Sequence, residues 1–316
     1  MMKNAQIAVG VDIGGTNIKI ALVTEYGEWI DSQSLLVKRD AAHRAELDFI
    51  CQAIKSFMDK HNVYPQLSGI GVASPGILDT DNGVIEYAVN LGWNHVRLVE
   101  IMQNKLHLNV HLLSDSVAGA IGEQFYTATA LDHYMFICIG TGLGASLIQN
   151  GEAFNGAGGA INLGHMSIIH NGKQCNCGNT GCLEKYVSAS ALIERVKVDL
   201  NNNYNTFNQS TESKELTPHH LFEAAENGDT YAISLFQEAG QLLGMAIVNC
   251  IHLFDAHNYI IGGGVSQAGR YMLDSAQREV KSRYKENKIR IIQSTVPTTA
   301  GVIGAAMYVF EREKKN

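Results

Sequence analysis

Two stretches with the same punctuation constrain this chain more than anything else in it: "AQIAVGVDIGGTNIKIALVTEYGEWI" near the N-terminus and "YMFICIGTGLGASLIQNGEAF" from Tyr134. Each reads as an apolar strand, a Gly/Thr turn and a second apolar strand, closed by "YGE" in one and "NGE" in the other. Val9, Val11 and Ile13 lead into the first turn, and Ile18, Ile20, Leu22 and Val23 lead out. A repeated supersecondary unit predicts two related lobes facing each other. The 316 residues are enough for two domains of ordinary size.

Between and after these units the patterns alternate. Helical periodicity runs from Ala45 to His61, with Leu47, Ile50, Cys51, Ile54, Phe57 and Met58 on one face. "LSGIGVASPGIL" reads as a buried strand ending in a Ser74-Pro75-Gly76 turn. A helix near Leu98–Leu106 precedes the strand "NVHLLSD", and a small-residue helix runs from Val117 to Tyr126. Further helices are predicted over Ser188–Leu200, Leu221–Ala225 and Ala232–Leu253, then the strand "NYIIGGGVS". "NNNYNTFNQSTESKEL" reads as a solvated loop, and "TTAGVIGAAMYVFERE" as a small-residue turn into a final helix.

A net charge of −7 argues against a nucleic-acid or anionic-membrane surface, since each needs a basic patch. No stretch approaches the roughly 20 apolar residues that span a bilayer. Asp12 interrupts "IAVGVDIGG" before it can serve as a secretory signal. Cys51, Cys138 and Cys250 sit singly in apolar or helical contexts and read as buried small hydrophobes, so a cytoplasmic home is expected.

The first glycine loop runs Asp12-Ile13-Gly14-Gly15-Thr16-Asn17-Ile18-Lys19. Glycines at a strand-to-strand turn let the backbone approach an anion and aim N–H groups at it. Thr16 adds a hydroxyl, and Asp12 is suited to a hydrated Mg²⁺; an ordinary hairpin turn is the plainer alternative. The second loop, Gly140-Thr141-Gly142-Leu143-Gly144, is followed by a strand and not by the helix a dinucleotide fold requires. Two matched loops point to nucleotide phosphates held between the lobes. Gly262-Gly263-Gly264 ends a buried strand, either under a base or ribose or as a tight turn only.

Cys175, Cys177 and Cys182 with His165 offer three thiolates and one imidazole, a full tetrahedral set for structural zinc, with His170 a rival for the fourth place. Four protein ligands leave no open position, so such a zinc builds structure and does not activate water. Asp115, in "LLSDSVAGAIGE", suits a helix N-cap and equally a general base that takes a proton from a hydroxyl.

Together "DIGGTNIK", "SPGILD", "VNLGW", the Asp115 segment, "GTGLGA", "GH…CNCGNTGCLE" and "IIGGGV" resemble the ROK (repressor, open reading frame, kinase) sugar kinases of the hexokinase–actin–Hsp70 superfamily, over nearly the whole chain. The resemblance implies an α/β, two-lobed actin-like ATPase (ribonuclease H-like) fold with an inter-lobe cleft and a zinc-pinned loop. It implies a small lobe of residues 1–116 plus 301–316 and a large lobe of 117–300. It implies ATP, Mg²⁺ and structural Zn²⁺, and transfer of phosphate to the 6-hydroxyl of a hexose or N-acyl hexosamine of glucose, allose or N-acetylmannosamine type. Asp115 matches the catalytic base; Asp12, Gly14, Gly15 and Thr16, with Asn17 and Lys19, match the first phosphate loop. Thr141 and Gly142 match the second, and Gly262, Gly263 and Gly264 complete the nucleotide set. Asn90, His165 and Glu184 match readers of sugar hydroxyls, joined by Gly76, Ser114, Asp115 and Asn162 around the substrate. His165, Cys175, Cys177 and Cys182 match the zinc ligands. Ser114 stands where the family usually has Asn, and Asn162 where it commonly has Glu. An amide donates and accepts where a carboxylate only accepts, so a different set of hydroxyls should be read. The alternatives are a catalytically weak sugar-binding sensor or scaffold and, less favoured, a transcriptional repressor. The repressors carry a helix-turn-helix, for which the about ten residues before Asp12 are too few. Homodimerisation or higher homo-oligomerisation is expected from the family alone.

Overall fold

The computed structural model describes residues 5–126, 131–154, 161–201, 216–285, 288–294 and 299–314. The polar loop expected at 201–216 and the start of the "TTAG" turn lie almost wholly outside the described residues. By its contacts the chain divides into two units, Met1–Ala130 with Ala153–Ala160 and Val296–Asn316, and Leu131–Glu152 with Ile161–Thr295.

In the first unit β1 (Ile7–Ile13) and β2 (Asn17–Thr24) form the expected hairpin, with Ile13 opposite Ile18 and Asp12 opposite Lys19. β3 (Trp29–Leu36) adds antiparallel to β2. α1 (Leu47–His61) buries Ile50, Cys51, Ile54, Phe57 and Met58, as its periodicity predicts. It starts later than the expected Ala45 because that residue is engaged elsewhere. Its N–H donates to the Leu91 carbonyl at 2.8 Å, and its own carbonyl accepts the Trp93 indole N–H at 2.8 Å.

β4 (Leu67–Ser74) is followed by a small antiparallel sheet of β5 (Ile77–Asp79), β6 (Val84–Ala88) and β7 (Trp93–Val96). Then come α2 (Leu98–Leu106), β8 (Val110–Ser114) and α3 (Asp115–Tyr126). The main sheet has the order β3-β2-β1-β4-β8, with β1, β4 and β8 mutually parallel. One face packs on α1 and α2. The other packs on α3 and the C-terminal helix Ala300–Glu313 through small side chains such as Ala8, Ala21, Ala73, Ala118 and Ala305. That approach depends on glycine: a Cβ on Gly71 would lie 1.8 Å from the Ala305 carbonyl oxygen, and one on Gly304 1.8 Å from that of Ala118. The lobe boundary expected at 116/117 falls within α3, a helix whose face is shared with the C-terminal helix.

The second unit repeats the plan. β9 (Tyr134–Ile139) and β10 (Leu143–Gln149) pair antiparallel, followed by β11 (Glu152–Ala153). After the cysteine-bearing loop come α4 (Glu184–Val187), α5 (Ala189–Asn201), α6 (Pro218–Glu226) and α7 (Thr230–Phe254). β12 (Asn258–Gly262), α8 (Gly269–Arg283) and β13 (Arg290–Gln293) complete it, giving the sheet order β11-β10-β9-β12-β13. The run β2-β1-β4 in one unit and β10-β9-β12 in the other are the same motif, an antiparallel hairpin with a parallel neighbour. The sequence repeat is therefore a structural repeat. α7 is capped by Asp229, whose carboxylate accepts the Ala232 N–H at 2.9 Å, and ends on Asp255 in the left-handed region at φ 51°. Among the described residues no helix is long and apolar enough to cross a membrane.

Candidate functional site

In an open α/β sheet, ligands gather at the carboxyl ends of parallel strands. Asp12 lies one residue from that end of β1, and Asp115 directly follows β8. Capping of α3 falls on the residue before Asp115. The Ser114 hydroxyl is buried, accepts the Val117 N–H at 3.2 Å and lies 3.2 Å from the Ser116 hydroxyl. Ser114, expected beside the substrate, is thus turned into the helix start. Asp115 accepts the adjacent Ser116 N–H at 2.7 Å, and the residue is exposed.

The protein around Asp115 disfavours its charge, and the Asp12 carboxylate adds repulsion, so its pKa is pushed up to about 6. Burial likewise raises the Asp12 pKa, against the attraction of Lys19 across the hairpin. Carboxylates with raised pKa values at strand ends make Asp115 and Asp12 candidates for handling a proton or holding a cation.

The first glycine loop closes on itself, with Gly14 N–H on the Asn17 carbonyl at 2.9 Å and Val37 N–H on that of Thr16 at 2.8 Å. Thr16 and Asn17 are exposed at its tip. A Cβ on Gly15 would stand 3.1 Å from Cβ of Asn90, so the loop rests directly on the segment bearing that residue. One on Gly301 would stand 3.2 Å from Oδ2 of Asp12, which sets the first turn of the C-terminal helix beside that carboxylate. Gly76 lies in the turn after β4, against the Tyr87 carbonyl.

In the second unit the Gly140–Gly142 turn is held from behind by the segment after the cysteines. Ala189 N–H donates to the Gly140 carbonyl at 2.9 Å, and the Ser190 hydroxyl to that of Thr141 at 2.8 Å. Glu184, expected to read sugar hydroxyls, spends Oε2 on the Leu143 N–H at 2.8 Å and lies under Gly142. Gly140, Thr141 and Gly264 border a cavity of about 500 Å³ that is also lined by His219, Phe222 and Phe236. Of the third glycine run only Gly264 lines it. Gly262 packs on the Phe136 ring, and Gly263 on the Ile139 carbonyl. The α6 residues lining the cavity were not singled out from the sequence. Thr217-Pro218 was a legible helix-start signal, with Thr217 capping and Pro218 opening α6.

The cysteine loop gathers His165, Cys175, Cys177 and Cys182, whose ligand atoms all lie within 4.8 Å of one another. Nδ1 of His165 is 3.7 Å from Cys175 Sγ, and the Cys177 and Cys182 sulfurs are 3.7 Å apart. A tetrahedron with metal–sulfur bonds of about 2.3 Å has edges of about 3.8 Å, so the set fits a tetrahedral ion. His170 is not in the set. The loop is shaped by backbone bonds from Cys175 N–H to the Asn179 carbonyl and from Gly181 N–H to that of Lys173, each 2.8 Å. Gly181 has φ 73°, and a Cβ there would lie 1.8 Å from the Ile169 carbonyl oxygen. Asn162 is exposed, and its carbonyl accepts the His165 N–H at 3.0 Å. Beyond this loop, Cys51 and Cys250 are buried as expected, and burial pushes their thiols up to about 11 and about 12. Cys138 is only half-buried.

The sequence model of the ROK family matches residues 8–312. The glucokinase of Halalkalibacterium halodurans is 31% identical over 96% of this chain and 95% of its own length. The xylose repressor of Caldicellulosiruptor bescii is 29% identical over 89% of this chain and 71% of its own. The crystal structure of a ROK family glucokinase from Streptomyces griseus in complex with glucose and AMPPNP superposes with a TM-score of 0.83. It is 27% identical, covering 96% of this chain and 99% of that one. The shared architecture is the α/β, actin-like two-domain class.

Proposed function

Because the chain belongs to the ROK family, we propose that it is an ATP-dependent sugar kinase acting on the 6-hydroxyl of a hexose or N-acyl hexosamine. The observation that carries this reading is the Asp115 carboxylate at the end of β8, coupled to Asp12 and set in the same unit as the glycine loop and Asn90.

Phosphoryl transfer asks mainly for positioning and charge stabilisation. Asp115 takes the proton of the attacking hydroxyl. A pKa of about 6 leaves it mostly ionised at neutral pH and still basic enough to accept that proton, an arrangement worth about 10²–10⁴-fold. The Gly14 N–H closes the turn on the Asn17 carbonyl, so the backbone N–H groups of Gly15 and Thr16 would be the phosphate donors of this unit. Asp12 would hold a hydrated Mg²⁺, which when bound neutralises charge on the transferred phosphate. The second unit brings its own glycine turn, and the adjoining apolar cavity suits an adenine base by size and by its Phe222 and Phe236 walls.

His165, Cys175, Cys177 and Cys182 would hold zinc, whose contribution is structural because all four positions are filled by protein. With Nδ1 turned to the sulfurs, Nε2 is the imidazole atom left for a sugar hydroxyl. The free cysteines suit a reducing, cytoplasmic setting.

The test is ADP release measured over a panel of glucose, allose, mannose, N-acetylglucosamine and N-acetylmannosamine. Sugar-dependent turnover with at least one member supports the reading. Thermal stabilisation by a sugar with no ADP released from any would favour a sensor instead.

A further inference from the structure

Arg39 carries no role in the reading above, yet its guanidinium holds three separate segments of the first unit. One nitrogen, Nη2, donates to the Gly15 carbonyl at 2.6 Å and to the Asn90 carbonyl at 2.8 Å. Nη1 donates to the His43 carbonyl at 2.8 Å. Arg39 opens a small hairpin, bridging Ala45, that Asp40 closes with bonds to the Ala42 and Arg44 N–H groups, each 2.9 Å. The far arm of that hairpin is pinned to the Asn90 segment through Ala45, Leu91 and Trp93. The hairpin thus has anchors of its own, and the Arg39 guanidinium reaches from it to the glycine loop.

The peptide group is planar and trans, so fixing a carbonyl also fixes the N–H on its opposite side. With the Gly15 oxygen drawn to Arg39, the Thr16 N–H is turned the other way. The same guanidinium nitrogen sets where the Asn90 backbone lies relative to that loop. A lysine in its place offers a compact ammonium in place of a planar fork, and so matches this three-carbonyl geometry less well.

We propose that Arg39 is a positioning residue. It sets the spacing between the phosphate-binding turn at Gly15–Thr16 and the sugar-contacting segment at Asn90, so that nucleotide and sugar are held in register. This rests on the kinase reading.

The test uses the full chain and its Arg39→Ala and Arg39→Lys variants. Binding of Mg²⁺–AMPPNP is measured by calorimetry, and KM for ATP and for the sugar turned over fastest by the wild type is measured alongside. Arg39→Ala is expected to weaken AMPPNP binding about tenfold and to raise both KM values, with Arg39→Lys intermediate. Its thermal midpoint should stay within a few degrees of wild type, which separates misplacement of ligands from loss of fold. Should Arg39→Ala fail to fold, the graded loss in Arg39→Lys decides. Wild-type binding with both variants within twofold of it overturns the Arg39 role and leaves the kinase reading intact. A wild type that binds neither AMPPNP nor any sugar overturns the kinase reading itself, and the Arg39 role with it.

Discussion

The acid limb of the rate profile is the most quantitative consequence of the site. With a pKa of about 6, Asp115 is about nine-tenths ionised at pH 7 and about one-tenth at pH 5. If its ionised form is the base, kcat/KM falls roughly tenfold between those values. An unperturbed aspartate at about 3.9 would remain more than nine-tenths ionised at pH 5 and give almost no fall. The shift comes first from surrounding protein and only second from Asp12, so raising the salt should move the limb little. The assay is initial-rate ADP release at saturating Mg²⁺ and low sugar, from pH 5 to 8. Asp115→Asn serves as the control for titration of the nucleotide itself. The variant should be about 10²–10⁴-fold slower and should lack the limb. A wild-type profile flat down to pH 5, or a limb of unchanged position in Asp115→Asn at comparable rate, would refute Asp115 as the base.

Other perturbations probe the supports of the site. Cys182→Ala should drop bound zinc, read by elemental analysis, from near one per chain to well below it, and lower the thermal midpoint, since the ligand set shapes its own loop. Glu184→Ala releases the Leu143 N–H and should raise KM for ATP several-fold. Glu184→Gln, whose amide oxygen can still accept that bond, should raise it less, and equal effects of the two would deny the contact its importance. Gly71→Ala sets a methyl against a carbonyl oxygen that cannot yield, and denaturant unfolding should show a loss of about 1–3 kcal/mol or more.

What could be read from the sequence was whatever rests on local pattern. The two hairpins were legible because their strands are apolar on both faces around glycine turns, and the ligand set because three cysteines crowd into eight residues. β3 was not, since "WIDSQSLL" is an edge strand with half-exposed side chains and no apolar run. α8 was missed because the face it buries includes Gly269, Ser275 and Ala276, which carry little hydrophobic signal. Ser275 packs on Gly240 of α7, Ala276 on Gly244, and Gly269 against Gln293 of β13. In the site, Asp115 and Asp12 could be picked out by residue type and position. The inward turn of Ser114 and the Glu184 bond to Leu143 could not, because each depends on a backbone N–H placed by folding. Arg39 was wholly hidden: its partners are carbonyls 24 and 51 residues away, and a carbonyl has no identity in sequence.

The most direct measurement follows the phosphorus itself, by ³¹P and ¹H NMR of ATP incubated with the protein, Mg²⁺ and each sugar of the panel. The γ-phosphate should appear as an ester on the 6-hydroxyl of at least one sugar, and Asp115→Asn should leave ATP and sugar almost unchanged over the same time. ATP that stays intact with every sugar, or an ester formed as fast by Asp115→Asn as by the wild type, would contradict the account.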